Sequence, residues 1–303
     1  MARWRKLGRI YEPRAIHPKL VSHAANPLAV PLGGDLYRIY FSSRDEEKRS
    51  SVGFVDFDMA KREIVRECKE PVIEHGPRGS YYEHGISVGC WYEVDGQRYI
   101  LFMGWQNPPG GHWRGDIGRL CIEPDGSLTP DGATPLLGSN EIDPISLSYP
   151  WVERRPEGGY RMWYGSTVSW DAGNGEMLHV INHAVSQDGH HWHREGLAVP
   201  FALGEVQAFS RPTVVGDAAS GYRMWFSYRG APGRTYRIGC AASRDGEAWS
   251  LRMTESGIDV SAEGWDSEMI EYPFVFRHGG QVFMLYNGNG FGQTGFGLAV
   301  LED

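Results

Sequence analysis

Five carboxylates stand where acid–base chemistry could be assembled. They are Glu83 in Ser80-Tyr-Tyr-Glu-His84, Asp143 in Glu141-Ile-Asp-Pro144, Glu205 in Gly204-Glu-Val-Gln207, Asp266 in Gly264-Trp-Asp-Ser267 and Glu271 in Ile270-Glu-Tyr-Pro273. Two carboxyl groups facing one scissile bond can divide a displacement between them, one protonating the leaving oxygen and the other activating water or attacking. Glu83, Glu205 and Glu271 fall near the same phase of an internal repeat, which makes them a set; ordinary solvated loop acids are the competing reading for each. A second group of residues is suited to holding polar ligand atoms. Asn26, Tyr149, Arg211 and Tyr272 each precede a proline, and Val88 occupies the corresponding place in the second repeat. Tyr and Asn suit hydroxyl groups, and an Arg at an inner position calls for an anion. His23 and Arg44 flank the first inner strands, Trp105 and Trp170 follow central strands, and Asn287 completes the candidate binding set.

The elements that position these residues are legible as a repeat. Short hydrophobic strands recur at Arg38-Ile-Tyr-Phe41, Ile100-Leu-Phe-Met103, Arg161-Met-Trp-Tyr164, Arg223-Met-Trp-Phe226 and Phe283-Met-Leu-Tyr286, with steps of 62, 61, 62 and 60 residues between the last-named positions. Pro27, Pro150 and Pro212 each fall 14 residues before such an anchor, and Pro273 falls 13 before. Ser186-Gln-Asp-Gly-His-His-Trp192 and Ser243-Arg-Asp-Gly-Glu-Ala-Trp249 repeat one hairpin turn. Each unit of about 60 residues predicts four strands, and radial repetition of four-stranded units is a β-propeller. The expected fold is all-β: one five-bladed propeller domain over residues 1–303, with blades near 20–75, 76–138, 139–200, 201–260 and 261–303. The segment before Leu20 is expected to supply a strand that closes the last blade. Strict alternation along a strand predicts that Glu271 and Tyr272 do not both face the axis.

With its X-Pro inner strands and S-x-D-G-x-x-W hairpins, the chain resembles the five-bladed glycoside hydrolases: the arabinanase, β-xylosidase, invertase and levansucrase group, with the related mannoside phosphorylases. Gly264-Trp-Asp-Ser-Glu-Met-Ile-Glu-Tyr-Pro273 and Tyr286-Asn-Gly-Asn-Gly290 are similar to an uncharacterised branch of that superfamily. The resemblance implies an enzyme that hydrolyses or transfers a glycosyl unit with paired carboxylates in an axial funnel, acting on a small carbohydrate. One departure bears on the chemistry. Those hydrolases usually carry an Asp-Pro in the first blade, whereas this chain has Asn26-Pro27, and an amide cannot act as base. Phosphorolysis, in which phosphate replaces water and its base, accommodates that change; so does a non-catalytic propeller that binds a sugar or a protein.

Three motifs are set aside. Gly85-Ile-Ser-Val-Gly89 fits G-x-S-x-G but lacks a strand–turn–helix setting. Gly290-Phe-Gly-Gln-Thr-Gly295 fits G-x-G-x-x-G with too little chain after it for a βαβ unit, and reads as a hairpin. His179, His183, His190, His191 and His193 cluster around an Asp188-Gly189 turn, which reads as a solvated hairpin and not as a metal site; no metal or cofactor is expected. Composition agrees with a globular β protein: 41% hydrophobic residues, 13% aromatic residues, Gly 40 and Pro 18. A net charge of −8 argues against nucleic acid, and no apolar stretch reaches the roughly 20 residues of a membrane helix. The basic start without an apolar segment, and four widely spaced cysteines, point to a reducing, cytoplasmic setting.

Overall fold

The computed structural model describes residues 3–217 and 219–302. Its regular structure is almost entirely strand. β1 (Arg3–Tyr11) is followed by four antiparallel runs of four strands: β2 (Ser22–Gly33), β3 (Leu36–Arg44), β4 (Ser50–Asp58) and β5 (Glu63–Glu67); β6 (Gly85–Val94), β7 (Gln97–Gln106), β8 (Arg114–Ile122) and β9 (Leu128–Pro130); β10 (Ser146–Arg154), β11 (Tyr160–Ser169), β12 (Leu178–Ser186) and β13 (His193–Leu197); β14 (Ala208–Asp217), β15 (Gly221–Arg229), β16 (Arg237–Ser243) and β17 (Ser250–Leu251). The last group holds β18 (Glu271–His278), β19 (Gln281–Asn287) and β20 (Phe296–Glu302), and β1 pairs antiparallel with β20 to give it a fourth strand. Single parallel bridges join β4 to β6 and β12 to β14. The first strands pack in succession, β2 on β6, β6 on β10, β10 on β14, β14 on β18, and β18 on β2.

The repeated anchors explain why the second strands sit in the core. Phe41, Met103, Tyr164, Phe226 and Tyr286 are all buried, as are Trp163 and Trp225 beside them. Burying an aromatic of this size contributes on the order of 2–3 kcal/mol. The S-x-D-G turns close in the same way twice. The Ser186 hydroxyl donates to Asp188 and accepts the Gly189 N–H, and Ser243, Asp245 and Gly246 repeat this. Gly189 and Gly246 have φ of 75° and 79°, where a side chain would be strained. Each turn docks on the preceding group: Tyr92 Oη donates to the Gly189 carbonyl, and Arg161 Nη1 to that of Asp245.

The X-Pro positions are bulges. Pairing with the second strand slips between Ala25 and Leu28, Val88 and Cys90, Ser148 and Trp151, Ser210 and Thr213, and Glu271 and Phe274. Asn26, Tyr149, Arg211 and Tyr272 there adopt φ of 58°, 32°, 47° and 53°. Such backbone costs on the order of 1–3 kcal/mol for a non-glycine residue. Side-chain acceptors on the neighbouring group meet three of the displaced N–H groups at these bulges. Val88 N donates to Ser42 Oγ, Tyr272 N to Ser227 Oγ, and Asn26 N to Asn287 Oδ1. The three acceptors each stand one residue after a repeated anchor, so one repeat position latches successive groups, including the last to the first.

A left-handed residue breaks the period of two at these bulges, so Ser148 and Tyr149 both line one cleft, whereas of Glu271 and Tyr272 only Tyr272 lines it. All four cysteines are free thiols. No helix of the described residues is long and apolar enough to cross a membrane.

Candidate functional site

A cleft of about 500 Å3 opens where the first strands converge, within the roughly 300–1,000 Å3 of small-molecule sites. Ser87, Ser148 and Ser210, each standing immediately before the bulge of its first strand, line it from three groups, and Glu271 holds the same position in the fifth without lining it. Trp105, Trp113, Tyr149, Tyr236, Tyr272 and Phe291 supply aromatic walls, and Arg44, Lys48 and Arg229 supply cations. No carboxylate of the described residues lines it.

Glu271 is a buried acid within electrostatic reach of two cleft residues, Arg44 and Arg229. Its side chain is fully buried, and neither carboxyl oxygen has a hydrogen-bond partner. Burial holds it in the acid form well above the ordinary carboxylate range, with Arg44 and Arg229 pulling the other way. The rings of Tyr149 and Tyr272 lie 5.2 Å apart, tilted by 48°, and burial raises both phenols. The Tyr149 phenol lies among Tyr272, Ser87 and Asn26, so three of the X-Pro residues do meet. Arg229 is held by Glu176, with Nη2 2.8 Å from Oε1.

His179 forms part of the floor. Its Nε2 is 2.6 Å from Ser148 Oγ and its Nδ1 2.7 Å from Thr167 Oγ1. Burial lowers its pKa to about 4, so the ring is neutral near pH 7. A side chain at Gly165 would collide with both Ser148 and His179, which is why that position is glycine. His183 instead pairs with Glu195 and stacks on Trp163. No group of three metal-ligating side chains exists among the described residues.

The remaining acids lie elsewhere. Asp143 is fully buried, accepting from Tyr164 Oη, Asn182 Nδ2 and Arg194 Nη1 at 2.7–2.9 Å. Asp266 accepts from Lys6 Nζ at 2.7 Å and Tyr286 Oη at 3.1 Å, a tie that fastens β1 to the last group. Glu83 accepts the Gly79 N–H in an exposed turn, and Glu205 is exposed on a loop. The structure therefore brings none of these four together with Glu271.

Arg211 has a different role from anion binding. It is 1% exposed, and its guanidinium donates to the carbonyls of Pro27, Gly89 and Tyr272, which come from three different groups. Those carbonyls replace the anion expected for a buried Arg, and burial lowers its pKa to about 9. Asn287 is likewise consumed in structure: beyond accepting from Asn26, its Nδ2 donates to the carbonyls of Ala24 and Gly295. Of the other expected binding residues, Arg44, Trp105, Tyr149 and Tyr272 line the cleft. His23 is half-buried, its pKa lowered to about 4 by burial and by Arg44. Trp170 stacks on His112 and meets Trp113 edge-on at the rim.

Sequence reasoning did not single out Lys48, Trp113, Ser148, Ser210, Arg229, Tyr236 or Glu176 for this site. Ser148 and Ser210 had a usable signal, since each stands immediately before an X-Pro pair in the same repeat position as Glu271.

No known protein-family profile matches the chain. Two curated proteins match along their whole length: "Uncharacterized protein MT1551" of Mycobacterium tuberculosis (strain CDC 1551 / Oshkosh) and "Uncharacterized protein Rv1502" of Mycobacterium tuberculosis (strain ATCC 25618 / H37Rv). Each is 45% identical over 303 residues, covering 99% of both chains. The chain belongs to their family. Among solved structures, a glycoside hydrolase superposes with TM-score 0.77 at 14% identity, over 97% of this chain and 90% of that one. An endo-arabinase from Bacteroides thetaiotaomicron VPI-5482 superposes with TM-score 0.64 at 14% identity, over 92% and 93%. An exo-1,5-alpha-L-arabinanase from a bovine ruminal metagenomic library gives TM-score 0.62 at 13% identity, over 92% of both. At such identities the likeness is one of fold: the chain has the propeller-like all-β fold of glycoside hydrolases.

Proposed function

We propose that the chain is a single five-bladed propeller domain and a carbohydrate-active enzyme that transfers a glycosyl unit in the axial cleft, with Glu271 as its proton donor. The observation that carries this reading is a buried carboxyl without a hydrogen-bond partner, kept in its acid form behind a cleft of aromatic and hydroxyl groups. A general acid must hold its proton at working pH and release it as charge develops on the leaving oxygen. Glu271 meets the first condition by burial, and Arg44 and Arg229 favour the carboxylate left after transfer. The proton passes from Glu271 to the leaving oxygen as the glycosidic bond breaks, once the ligand has displaced the cleft side chains that cover the buried carboxyl. The acceptor oxygen bonds to the anomeric carbon and releases its proton to solvent, from which Glu271 is recharged. Trp105 and the Tyr149–Tyr272 pair offer faces for a sugar ring, and Ser148 with neutral His179 offers hydroxyl recognition.

This is a one-acid scheme in place of the paired carboxylates expected from the sequence. It suits water, a sugar hydroxyl or phosphate as acceptor. Turnover on a panel of aryl glycosides, with and without phosphate, tests it: Glu271→Gln should lower kcat by about 10²–10⁴ with folding intact, and Glu83→Gln should leave it within about threefold. The second reading, a binding propeller without catalysis, is favoured by Asn26, whose amide occupies the place of the usual first-blade acid. It predicts sugar binding without turnover.

A further inference from the structure

We propose that the cleft takes its ligand through an anionic group, a phosphate or a sugar carboxylate, clasped by Arg44 and Lys48. The proposal rests on the cleft being the binding site described above, and it adds the charge class of what binds there.

The protein as a whole is acidic, yet the cleft wall carries three cations and no carboxylate among the described residues. The three are not equivalent. Arg229 is already balanced by Glu176, with Nε 2.7 Å and Nη2 2.8 Å from its carboxylate. Arg44 and Lys48 form no ion pair among the described residues. Arg44 ends β3 and is half-buried, and the Glu271 carboxyl within its electrostatic reach forms no ion pair with it and is held toward its acid form by burial. His23 registers that unbalanced field, its imidazolium disfavoured first by burial and then by Arg44.

The loop after β3 sorts its own charges. Asp45 accepts the Arg49 N–H and Nε at 2.9 Å each, and Glu47 lies 3.1 Å from Arg49 Nη1. Asp45 and Glu47 are thus turned toward Arg49, and all three loop acids, Glu46 included, line a separate hollow outside the cleft. Lys48, with φ of 65° and its N–H on the Asp45 carbonyl, lines the cleft. A left-handed lysine held by a closed loop beside a half-buried, uncompensated arginine is a two-point cationic clasp. Charge-assisted hydrogen bonds to an anion satisfy it where a neutral hydroxyl leaves it short. An anion there is also a like charge for ionised Glu271, so its arrival favours the acid form that the catalytic reading requires.

Isothermal titration of the full chain at low salt with inorganic phosphate, glucuronate and glucose tests the clasp. At least one anion is expected to bind about tenfold or more tightly than glucose, and Arg44→Gln and Lys48→Gln are each expected to weaken that anion about tenfold, leaving glucose unchanged. Lys48 is an exposed loop residue, so Lys48→Gln keeps the test open if Arg44→Gln does not fold. Preference for phosphate identifies a free phosphate ligand; preference for glucuronate identifies an acidic sugar. Glucose bound as tightly as both anions, no anion binding at all, or anion binding unchanged in Lys48→Gln would overturn the proposal. Glu271→Gln should retain anion binding while losing turnover. Anion binding with turnover intact in that variant sinks the catalytic reading alone, and turnover without anion discrimination sinks this one alone.

Discussion

At the scale of single residues, the cleft is governed by how burial is compensated. Glu271 is compensated by keeping its proton. Its ordinary pKa is 4.5. Above that value the unfolded chain ionises at this residue while the folded chain does not, so this group lowers native stability as pH rises from 4.5 toward the raised folded value. Glu271→Gln removes the effect. Urea unfolding across pH 4–8 should show the variant gaining stability relative to the parent as pH rises; an opposite slope would mean that the folded carboxyl is ionised. Arg211 is compensated by three carbonyls from three groups. Arg211→Met strands them, and denaturant unfolding should register a loss of about 3 kcal/mol. These two residues illustrate what the sequence conveys and what it does not. Both were marked by their place beside a repeated proline, but whether a buried charge meets an anion or a carbonyl depends on backbone brought from elsewhere in the chain. Asp143 and Asp266 are similar cases, because their partners Arg194 and Lys6 lie 51 and 260 residues away.

At the scale of elements, spacing was highly legible and local backbone was not. The anchors from Phe41 to Tyr286 placed every second strand in the core, since a buried aromatic at a fixed period has few alternative explanations. The X-Pro repeat located the innermost part of each first strand. It did not disclose a left-handed residue there, because proline restricts its predecessor toward extended backbone and the bulge overrides that preference. Neighbouring residues Ser148 and Tyr149 both reach the cleft for that reason, while of Glu271 and Tyr272 only Tyr272 does. The S-x-D-G turn is the opposite case, its turn geometry readable from residue type. Asp245 accepts the N–H groups of Glu247 and Ala248, and these bonds hold its pKa down to about 2. Asp245→Ala should cost roughly 1 kcal/mol, kept small by solvent exposure. The contribution of Asp245 is present above the ordinary pKa of 3.8 and is lost as pH falls through about 2, a window that acid titration of parent and variant can resolve.

At the scale of the whole molecule, the first and last segments meet. β1 pairs with β20, Lys6 reaches Asp266, and Asn287 holds both Asn26 and the Ala24 carbonyl. β1 covers what would otherwise be an open strand edge of β20. Deleting the chain through Tyr11 exposes β20 and unpairs Asp266. Thermal melting of that truncation should be lower by several degrees and accompanied by aggregation; an unchanged transition would show that the last group does not depend on β1. The cleft likewise joins separate parts of the chain, because Ser87, Ser148 and Ser210 reach it from three different groups.

The most direct test of the account is a crystal structure with a glycoside bound to Glu271→Gln, in which substrate would persist. The account places the glycosidic oxygen within hydrogen-bond reach of residue 271, about 2.6–3.2 Å, with the sugar against Trp105 and the Tyr149–Tyr272 pair. A glycoside lying instead between Glu83 and Glu205, or bound with residue 271 out of reach of its anomeric centre, would contradict it.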